Sequence, residues 1–224
     1  MKNALKNNGL SLFFGAIFLL AILGQAITGQ AVFNEEQLAA GLDEISFTQY
    51  LTSSSFAVDV SENWQSEYLQ FLLYIIATIW LVQKGSPESK ELDKPVIESD
   101  EDQLVGEHAN DKSPAWARAR GWRLTLFSNS LAATMGLIFV LSWLVQSVTG
   151  QAAYNEDQLR NFQEPVPWLE YVSSPDFWNR TLQNWQSEFL AVGSMVVLSI
   201  YLRQRGSPES KPVGSAHDDT GTTG

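Results

Sequence analysis

Two glutamates, Glu67 and Glu188, have the clearest capacity for chemistry in this sequence, because each stands at the start of a long apolar run. An ionised carboxylate at the centre of a bilayer costs on the order of 3 kcal/mol, and less near the membrane surface. A carboxylate in such a place can bind a cation, relay protons or accept hydrogen bonds from a neighbouring helix. These two positions are therefore the first candidates for a functional site.

Both glutamates end the same five-residue block, Asn-Trp-Gln-Ser-Glu, which supplies further polar groups beside each carboxylate. Two interpretations are open. Each glutamate accepts hydrogen bonds from its paired helix and locks a helical hairpin, or the two carboxylates face each other and bind a cation or relay protons. The candidate polar or ion site comprises Glu67, Glu188, Gln25, Gln146, Asn63, Asn184, Gln65 and Gln186.

The sequence that positions these residues is duplicated. A Thr-Gly-Gln-Ala block starting at Thr28 and a Gly-Ser-Pro-Glu-Ser-Lys block starting at Gly85 both return 121 residues later, as does the Asn-Trp-Gln-Ser-Glu block. One common offset means that no net insertion or deletion separates the matched blocks. We interpret this as a tandem duplication, with a first copy at residues 5–90 and a second copy at residues 126–211.

Each copy contains two apolar runs that predict membrane-spanning helices. Residues 10–28 nearly cover the ~30 Å hydrocarbon core at about 1.5 Å per residue. Taken alone, this run also fits a signal peptide, but its counterpart at residues 126–148 lies in mid-chain, where no signal peptide can be. Residues 68–82 are too short to cross, so their helix must begin near Asn63, and its counterpart covers residues 184–202. The predicted fold class is all-α, a four-span transmembrane helical bundle made of two parallel two-helix repeats.

The stretches between the runs complete the predicted domain organisation. Residues 29–62 are acidic, and the spacing of their apolar side chains suits short amphipathic helices on the outer surface. Prolines in the matching loop of the second copy predict less helix there. The predicted domains are residues 1–90, a first two-span repeat with an acidic outer loop; 91–123, a disordered acidic linker and a basic interfacial anchor; 124–211, a second two-span repeat; and 212–224, a flexible tail.

Tryptophan and arginine alternate immediately before the third predicted span. Arginine pairs with lipid phosphate and tryptophan lies at headgroup depth, so this pattern predicts a lipid anchor on the cytoplasmic side. A nucleic-acid patch is the weaker interpretation, because the flanks are acidic and the net charge is −11. The predicted anchor consists of Trp116, Arg118, Arg120, Trp122 and Arg123.

The distribution of basic residues predicts the orientation. Lysine and arginine concentrate at the N-terminus, including Lys2 and Lys6, in the linker and after residue 202, whereas the outer loops hold only Arg160 and Arg180. The positive-inside rule then places both termini in the cytoplasm, in a multi-pass protein of the cell (inner) membrane.

Catalytic and metal-binding patterns do not emerge from the sequence. There is no cysteine, so thiolate chemistry and disulfides are excluded. His108 and His217 lie in polar segments, which argues against a haem or metal site inside a bundle. We expect no enzyme activity, no metal, no cofactor and no nucleic-acid partner.

The Asn-Trp-Gln-Ser-Glu block before an apolar run and Arg-Gly-Ser-Pro-Glu-Ser-Lys-Pro after one resemble an uncharacterised bacterial family of small integral membrane proteins, domain of unknown function 6766. The resemblance covers both copies but neither the linker nor the tail. It implies a bacterial inner membrane and supplies no catalytic residues.

Two functions follow as expectations. The first is a non-enzymatic membrane protein, embedded in the lipid bilayer, that acts through assembly with a second copy of itself or with another protein. The alternative is a small cation or proton channel or transporter that uses the outer polar cluster. A hydrated path continuing to the inner face favours transport, and we expect few polar groups below Phe71 and Val192.

Overall fold

All regular structure in the described part of the chain is helical. A computed structural model describes residues 7–93 and 97–221. Outside the described residues lie residues 1–6, which include Lys2 and Lys6, residues 94–96 of the predicted linker and residues 222–224 of the predicted tail. Within the described ranges the helices are α1 (Gly9–Ala39), α2 (Phe47–Leu51), α3 (Ser54–Trp80), α4 (Trp122–Ser128), α5 (Ser130–Arg160), α6 (Trp168–Val172) and α7 (Pro175–Tyr201), with short 3-10 helices at Gly106–His108 and Ala115–Arg118.

Two of the four long helices, α1 and α5, are long and apolar enough to cross a membrane. Their apolar stretches are hardly covered by the rest of the chain, since only 6% of the stretch in α1 and 17% of that in α5 is buried. Helices α3 and α7 have 27 residues each, about 40 Å at the helical rise. Both carry several charged side chains in their N-terminal halves, and neither is apolar enough to count as a candidate membrane span.

The outer ends of α1 and α5 continue well beyond the predicted spans. The sequence predicts that the first span ends at Thr28, but α1 runs on to Ala39. The helix stops where the chain turns left-handed at Gly41, with φ of 74°. There the amide of Leu42 donates to the carbonyl of Gln37, as in a Schellman motif. Polar residues after Thr28 are therefore helical, because no residue before Gly41 breaks the helix.

Prolines in the second copy start helices and do not interrupt them. We expected the prolines to reduce helix here, and this prediction is wrong. Pro167 precedes α6, and Pro175 is the first residue of α7. At the first helical position a proline lacks only an N–H group that would have no partner inside the helix, and its fixed φ suits the helix.

The contacts divide the chain into two compact units. The first unit contains the described residues up to Ser61 together with Leu144–Phe177, and the second contains Glu62–Trp143 together with the described residues from Trp178 onward. Each unit draws on both copies of the sequence.

In the first unit, polar side chains of α1 fix the loop that leads to α2. The amide of Ile45 donates to Asn34 Oδ1 at 2.9 Å, and Asn34 Nδ2 and Gln30 Nε2 both donate to the Ile45 carbonyl at 3.1 and 2.9 Å. Glutamine and asparagine here complete the hydrogen bonds of a backbone that has no helical partner. The same bonds join Asn155 and Gln151 to Val166 at 2.8, 3.0 and 2.9 Å, 121 residues later.

Two tyrosines form the centre of the first unit, each against a glycine. Tyr50 and Tyr171 are buried, and burial together with nearby Asp59 raises the pKa of the Tyr50 phenol. A Cβ placed on Gly29 would lie 2.2 Å from Tyr50 Oη, and one on Gly150 would lie 2.4 Å from Tyr171 Oη. Only a residue without a side chain allows each ring to approach its long helix so closely.

The two copies also meet within the first unit. Gln37 Nε2 of the first copy donates to Glu156 Oε1 of the second copy at 3.2 Å. Arg160 pairs with the same carboxylate at 2.5 Å, and its guanidinium lies 5.4 Å from the centre of the Phe33 ring. An arginine over an aromatic face is attracted by the negative ring face. Residues of different types, contributed by different copies, therefore join at this surface.

In the second unit, both Gly-Ser-Pro-Glu-Ser-Lys blocks form the same turn after a long helix. The amide of Gln83 donates to Ser89 Oγ at 2.9 Å, and the amide of Gln204 donates to Ser210 Oγ at 2.9 Å. Gly85, with φ of 87°, supplies the left-handed residue that the turn requires. The repeated block thus predicts a repeated local structure.

Residues 218–221 contact the turn after α3. The amide of Gly85 donates to Thr220 Oγ1 at 2.9 Å, and the amide of Gly221 donates to the Ser86 carbonyl at 3.1 Å. Lys84 pairs with Asp218 at 3.7 Å. The segment for which the sequence predicts a flexible tail makes these contacts up to Gly221.

Lys211 precedes the tail and is enclosed by it, so that only 1% of the residue is exposed. Its ammonium donates to three backbone carbonyls, those of Ala216, His217 and Asp219, at 3.1, 2.9 and 3.1 Å. Burial, with the charge of Arg203, lowers the pKa of Lys211. The three acceptors replace the water that this cation loses on burial.

Candidate functional site

The two Asn-Trp-Gln-Ser-Glu blocks contact each other in the second unit. Trp185 Nε1 donates to Gln65 Oε1 at 2.8 Å, and Gln65 is 0% exposed. Gln65 Nε2 is buried and has no hydrogen-bond partner among the described residues. An unsatisfied amide donor inside a protein is costly and therefore uncommon. The glutamine of the first block and the tryptophan of the second form the centre of this site.

Tryptophan rings line one side of the site. Trp143 of α5 stacks on Phe139 with ring centres 5.6 Å apart, and it lies 6.1 Å from both Trp178 and Trp185 of α7. Tilted and edge-on arrangements such as those of Trp178 and Trp185 are the favourable geometries for aromatic pairs. This aromatic wall fixes the orientation of the Trp185 indole that donates to Gln65.

An ion pair between the copies lies at the outer end of the site. Arg180 Nη1 of α7 lies 3.2 Å from Glu62 Oε2 of α3. The position of Arg180 in the first copy is occupied by Asp59, so this cation is present only in the second copy. A partly exposed pair of this kind is worth at most about 1 kcal/mol, so its main effect is to select which residues face each other.

The two predicted carboxylates interact electrostatically but have different surroundings. Glu67 is exposed, whereas Glu188 is half-buried, and the charge of Glu67 acts on Glu188. Their neighbours differ as well, because Gln65 is buried and its counterpart Gln186 is exposed. Two neighbouring carboxylates attract a cation or share a proton.

The remaining predicted residues are divided between the units. Asn184 Nδ2 donates to the Arg180 carbonyl of its own helix at 3.0 Å, and Asn63 is exposed on α3. Gln25, half-buried, and Gln146, fully buried, belong to the first unit. The other six members of the predicted polar site lie in the second unit. No group of three or more His, Cys, Asp or Glu side chains that could hold a metal occurs within residues 7–93 and 97–221.

Three residues of the predicted lipid anchor, Trp116, Trp122 and Arg123, contact one another. Trp116 and Trp122 meet edge to face at 6.4 Å, and the Arg123 guanidinium lies 5.6 Å from the centre of the Trp122 ring. Arg118 donates to the Asn110 carbonyl at 2.7 Å, and both indoles are largely exposed. The arrangement suits a headgroup surface, where an indole needs one apolar and one wet side.

Sequence reasoning missed a polar stripe along α3. Ser66, Gln70, Tyr74 and Thr78 follow one another at four-residue spacing on one face of the helix. Tyr74 Oη donates a hydrogen bond to Glu88 in the turn that follows α3. We expected few polar groups below Phe71, and Tyr74 and Thr78 continue the stripe there, at a four-residue spacing that was available as a signal.

Comparisons with known proteins give one result. Neither the curated proteins nor the solved structures include a match to this chain. A family described as a domain of unknown function, DUF6766, matches residues 1–222, so the similarity includes the linker and most of the tail as well as both copies. The chain therefore belongs to the DUF6766 family.

Proposed function

We propose that this protein is a multi-pass integral membrane protein in which α1, α3, α5 and α7 cross the bilayer as two parallel hairpin repeats. The observation that carries the proposal is an inverted distribution of polarity. The apolar stretches of α1 and α5 are almost uncovered, whereas Gln65, Gln146 and Thr181 are 0% exposed. Water would favour burial of the apolar side chains, while lipid accepts them and favours polar side chains inside.

The lengths of α3 and α7 support their inclusion as spans. Because α3 begins at Ser54, its 27 residues supply the length that residues 68–82 lack. The charged residues of its outer half then lie at the membrane surface, where a carboxylate costs less than at the centre. The hydrogen bonds that recur after 121 residues support two hairpins of the same construction.

The distribution of lysine and arginine supports a cytoplasmic position for both termini, in a bacterial inner membrane. Cysteine labelling tests this directly, because the chain contains no cysteine. Thr52→Cys and Ser173→Cys occupy matched outer positions, and Glu101→Cys and Gly214→Cys occupy inner ones. A membrane-impermeant maleimide should label the first two in intact spheroplasts and the last two only after permeabilisation. Labelling of Glu101→Cys in intact spheroplasts would contradict the orientation.

The protein acts through assembly rather than catalysis. The uncovered face of α1 supports this role, since a Cβ on Gly15 would meet no atom within 4 Å. A small residue on a lipid-facing helix lets a second helix approach closely. We expect a second copy of the chain, or another membrane protein, to pack here. Gly15→Leu should reduce the oligomer measured by multi-angle light scattering in detergent, whereas Gly193→Leu, which also has open space around it, should not.

A cation or proton pathway is the second candidate function, and the interaction between Glu67 and Glu188 favours it. Exchanging both residues for glutamine keeps their shape and removes their charge. Proton and sodium flux into vesicles that contain the purified protein should then fall to the level of empty vesicles. Equal flux in the wild-type and double-variant vesicles would remove this candidate and leave the assembly role.

A further inference from the structure

A cavity lies between the inner halves of α3 and α7, within the second unit. Its volume is about 430 Å³, which is in the range of small-molecule sites. Apolar side chains, including Leu81, Val82, Val192 and Val196, form most of its wall. Polar groups concentrate at one end, where Tyr74 and Glu88 meet. The cavity thus has an apolar body and a single acidic end.

Glu88 supplies a negative charge to the cavity, and within residues 7–93 and 97–221 no cation pairs with it. Its carboxylate accepts a hydrogen bond from Tyr74, and no lysine or arginine nitrogen of the described residues forms an ion pair with it. The nearest lysines in sequence are engaged elsewhere: Lys84 pairs with Asp218 at 3.7 Å, and Lys90 pairs with Glu98 at 2.6 Å. A half-buried carboxylate with only a neutral partner attracts a positive ligand.

The end of α3 adds a second source of negative potential. The helix ends at Trp80, and the cavity is lined by Ala77 and Thr78 of its last turn. Carbonyl groups in the last turn of a helix lack partners within the helix and carry part of its negative dipole. Glu88 and this helix end therefore favour the same sign of ligand.

We propose that this cavity binds an organic cation, an ammonium group carried on a short apolar stem. The ammonium lies at Glu88 and Tyr74, and the stem lies against Val192 and Val196. A bare metal ion would leave the apolar wall unused, and an anion would meet the Glu88 carboxylate. The ammonium could belong to a soluble amine or to a lipid headgroup, since both present the same chemistry.

The second copy provides a matched control. Its Gly-Ser-Pro-Glu-Ser-Lys block contains Glu209 at the position of Glu88, but Met195 stands where the first copy has Tyr74. Glu209 is exposed and does not line the cavity, and only its charge reaches Tyr74. The proposed site therefore belongs to the first copy only. Removing the charge of Glu209 is the matched control for removing the charge of Glu88.

Calorimetric titration of the full chain in dodecyl maltoside, an uncharged detergent, tests the proposal with n-hexylammonium as the probe. Glu209→Gln should bind it nearly as well as the wild-type chain, and Glu88→Gln should bind at least about tenfold more weakly. Hexanoate and hexanol, which have the same stem without the positive charge, should bind more weakly than hexylammonium. Equal binding of hexylammonium by the wild-type chain and Glu88→Gln, or equal binding of hexanoate, would overturn the proposal.

A second variant covers the case in which Glu88→Gln fails to fold. Val192→Phe narrows the cavity without changing its charge and introduces the residue found at the matched position, Phe71, of the first copy. It should also weaken hexylammonium binding, and normal binding by this variant would overturn the proposal.

Native mass spectrometry distinguishes the two sources of the ammonium. Retention of phosphatidylethanolamine over phosphatidylglycerol of the same chain length, lost in Glu88→Gln, would identify a lipid headgroup. Binding of hexylammonium without this lipid preference would identify a soluble amine. Failure to bind either ammonium compound would overturn the proposed site and leave the membrane topology untouched.

Discussion

At the scale of single residues, the caps of α1 and α5 differ by one side chain. Gly41 and Phe162 occupy matched positions with φ of 74° and 57°. A residue with a Cβ pays roughly 1–2 kcal/mol in the left-handed region, and glycine does not. Phe162 is 99% exposed, so packing against the described residues does not offset this strain. Both caps nevertheless make the same pair of hydrogen bonds to the preceding turn.

We therefore expect Phe162→Gly to stabilise the folded chain by about 1 kcal/mol. Gly41→Ala should destabilise it by a similar amount, because it introduces the strain that Phe162→Gly removes. Tryptophan fluorescence during thermal unfolding in detergent gives both values. A lower melting temperature for Phe162→Gly would mean that the exposed ring has a stabilising contact outside the chain.

The tyrosine-glycine contacts give a second residue-scale prediction. Gly29→Ala should destabilise the fold by roughly 1–3 kcal/mol, because the new methyl group would overlap the Tyr50 hydroxyl and force the ring to move. Gly24→Ala, in the same helix with no atom within 4 Å, is the control and should be neutral or slightly stabilising. Equal melting temperatures for the two variants would show that the ring moves at no cost.

At the scale of elements, the apolar runs predict the helices well and their ends poorly. The four apolar runs gave four long helices, because continuous apolar sequence without proline has few other structures. The outer extensions of α1 and α5 were missed since Gln30, Asn34 and Gln37 look like loop residues when considered alone. Their side chains bind a loop carbonyl and a carboxylate of the other copy, and such contacts are set by tertiary structure.

The candidate site was predictable only in part, again because its contacts are set by tertiary structure. The repeated block identified Gln65 and Glu67, but two identical blocks carry no information about which glutamine becomes buried. That asymmetry arises because the tryptophan of one block donates to the glutamine of the other. Glu88 was overlooked because its block also explains a helix end, and its contact with Tyr74 depends on how the turn folds back.

The tail gives an element-scale prediction. Deleting residues 214–224 removes the three carbonyl groups that accept from Lys211 and leaves a buried cation without them. The deletion should cost on the order of 3 kcal/mol of unfolding free energy. In a Lys211→Met background the same deletion should cost clearly less, as measured by a double-mutant cycle. An equal cost in both backgrounds would mean that the ammonium is hydrated in the folded chain.

At the scale of the whole molecule, the two copies are complementary. The contacts between them join unlike residues: Gln37 meets Glu156, and Gln65 meets Trp185. The outer arginines Arg160 and Arg180 occur only in the second copy. Neither copy could replace the other without losing these partners, so the duplicated halves have become dependent on each other.

Because the copies depend on each other, we expect the two halves to assemble when the linker is cut and neither half to fold alone. Residues 1–101 and 102–224, expressed together as separate chains, should copurify, because the contacts between the copies do not require the linker. Either half alone should be degraded or aggregate. Glu62→Arg should weaken the copurification, and Glu62→Arg combined with Arg180→Glu should restore it. Recovery of a folded half on its own would contradict the prediction.

The hydrogen bonds that join Gly85 and Ser86 to the last described residues have a consequence for biosynthesis. The ribosome releases residues 220 and 221 only after α7 has been made. The turn after α3, made more than a hundred residues earlier, must wait for them. The helices can form one after another, but the turn after α3 gains its last hydrogen bonds only once these two residues have been made.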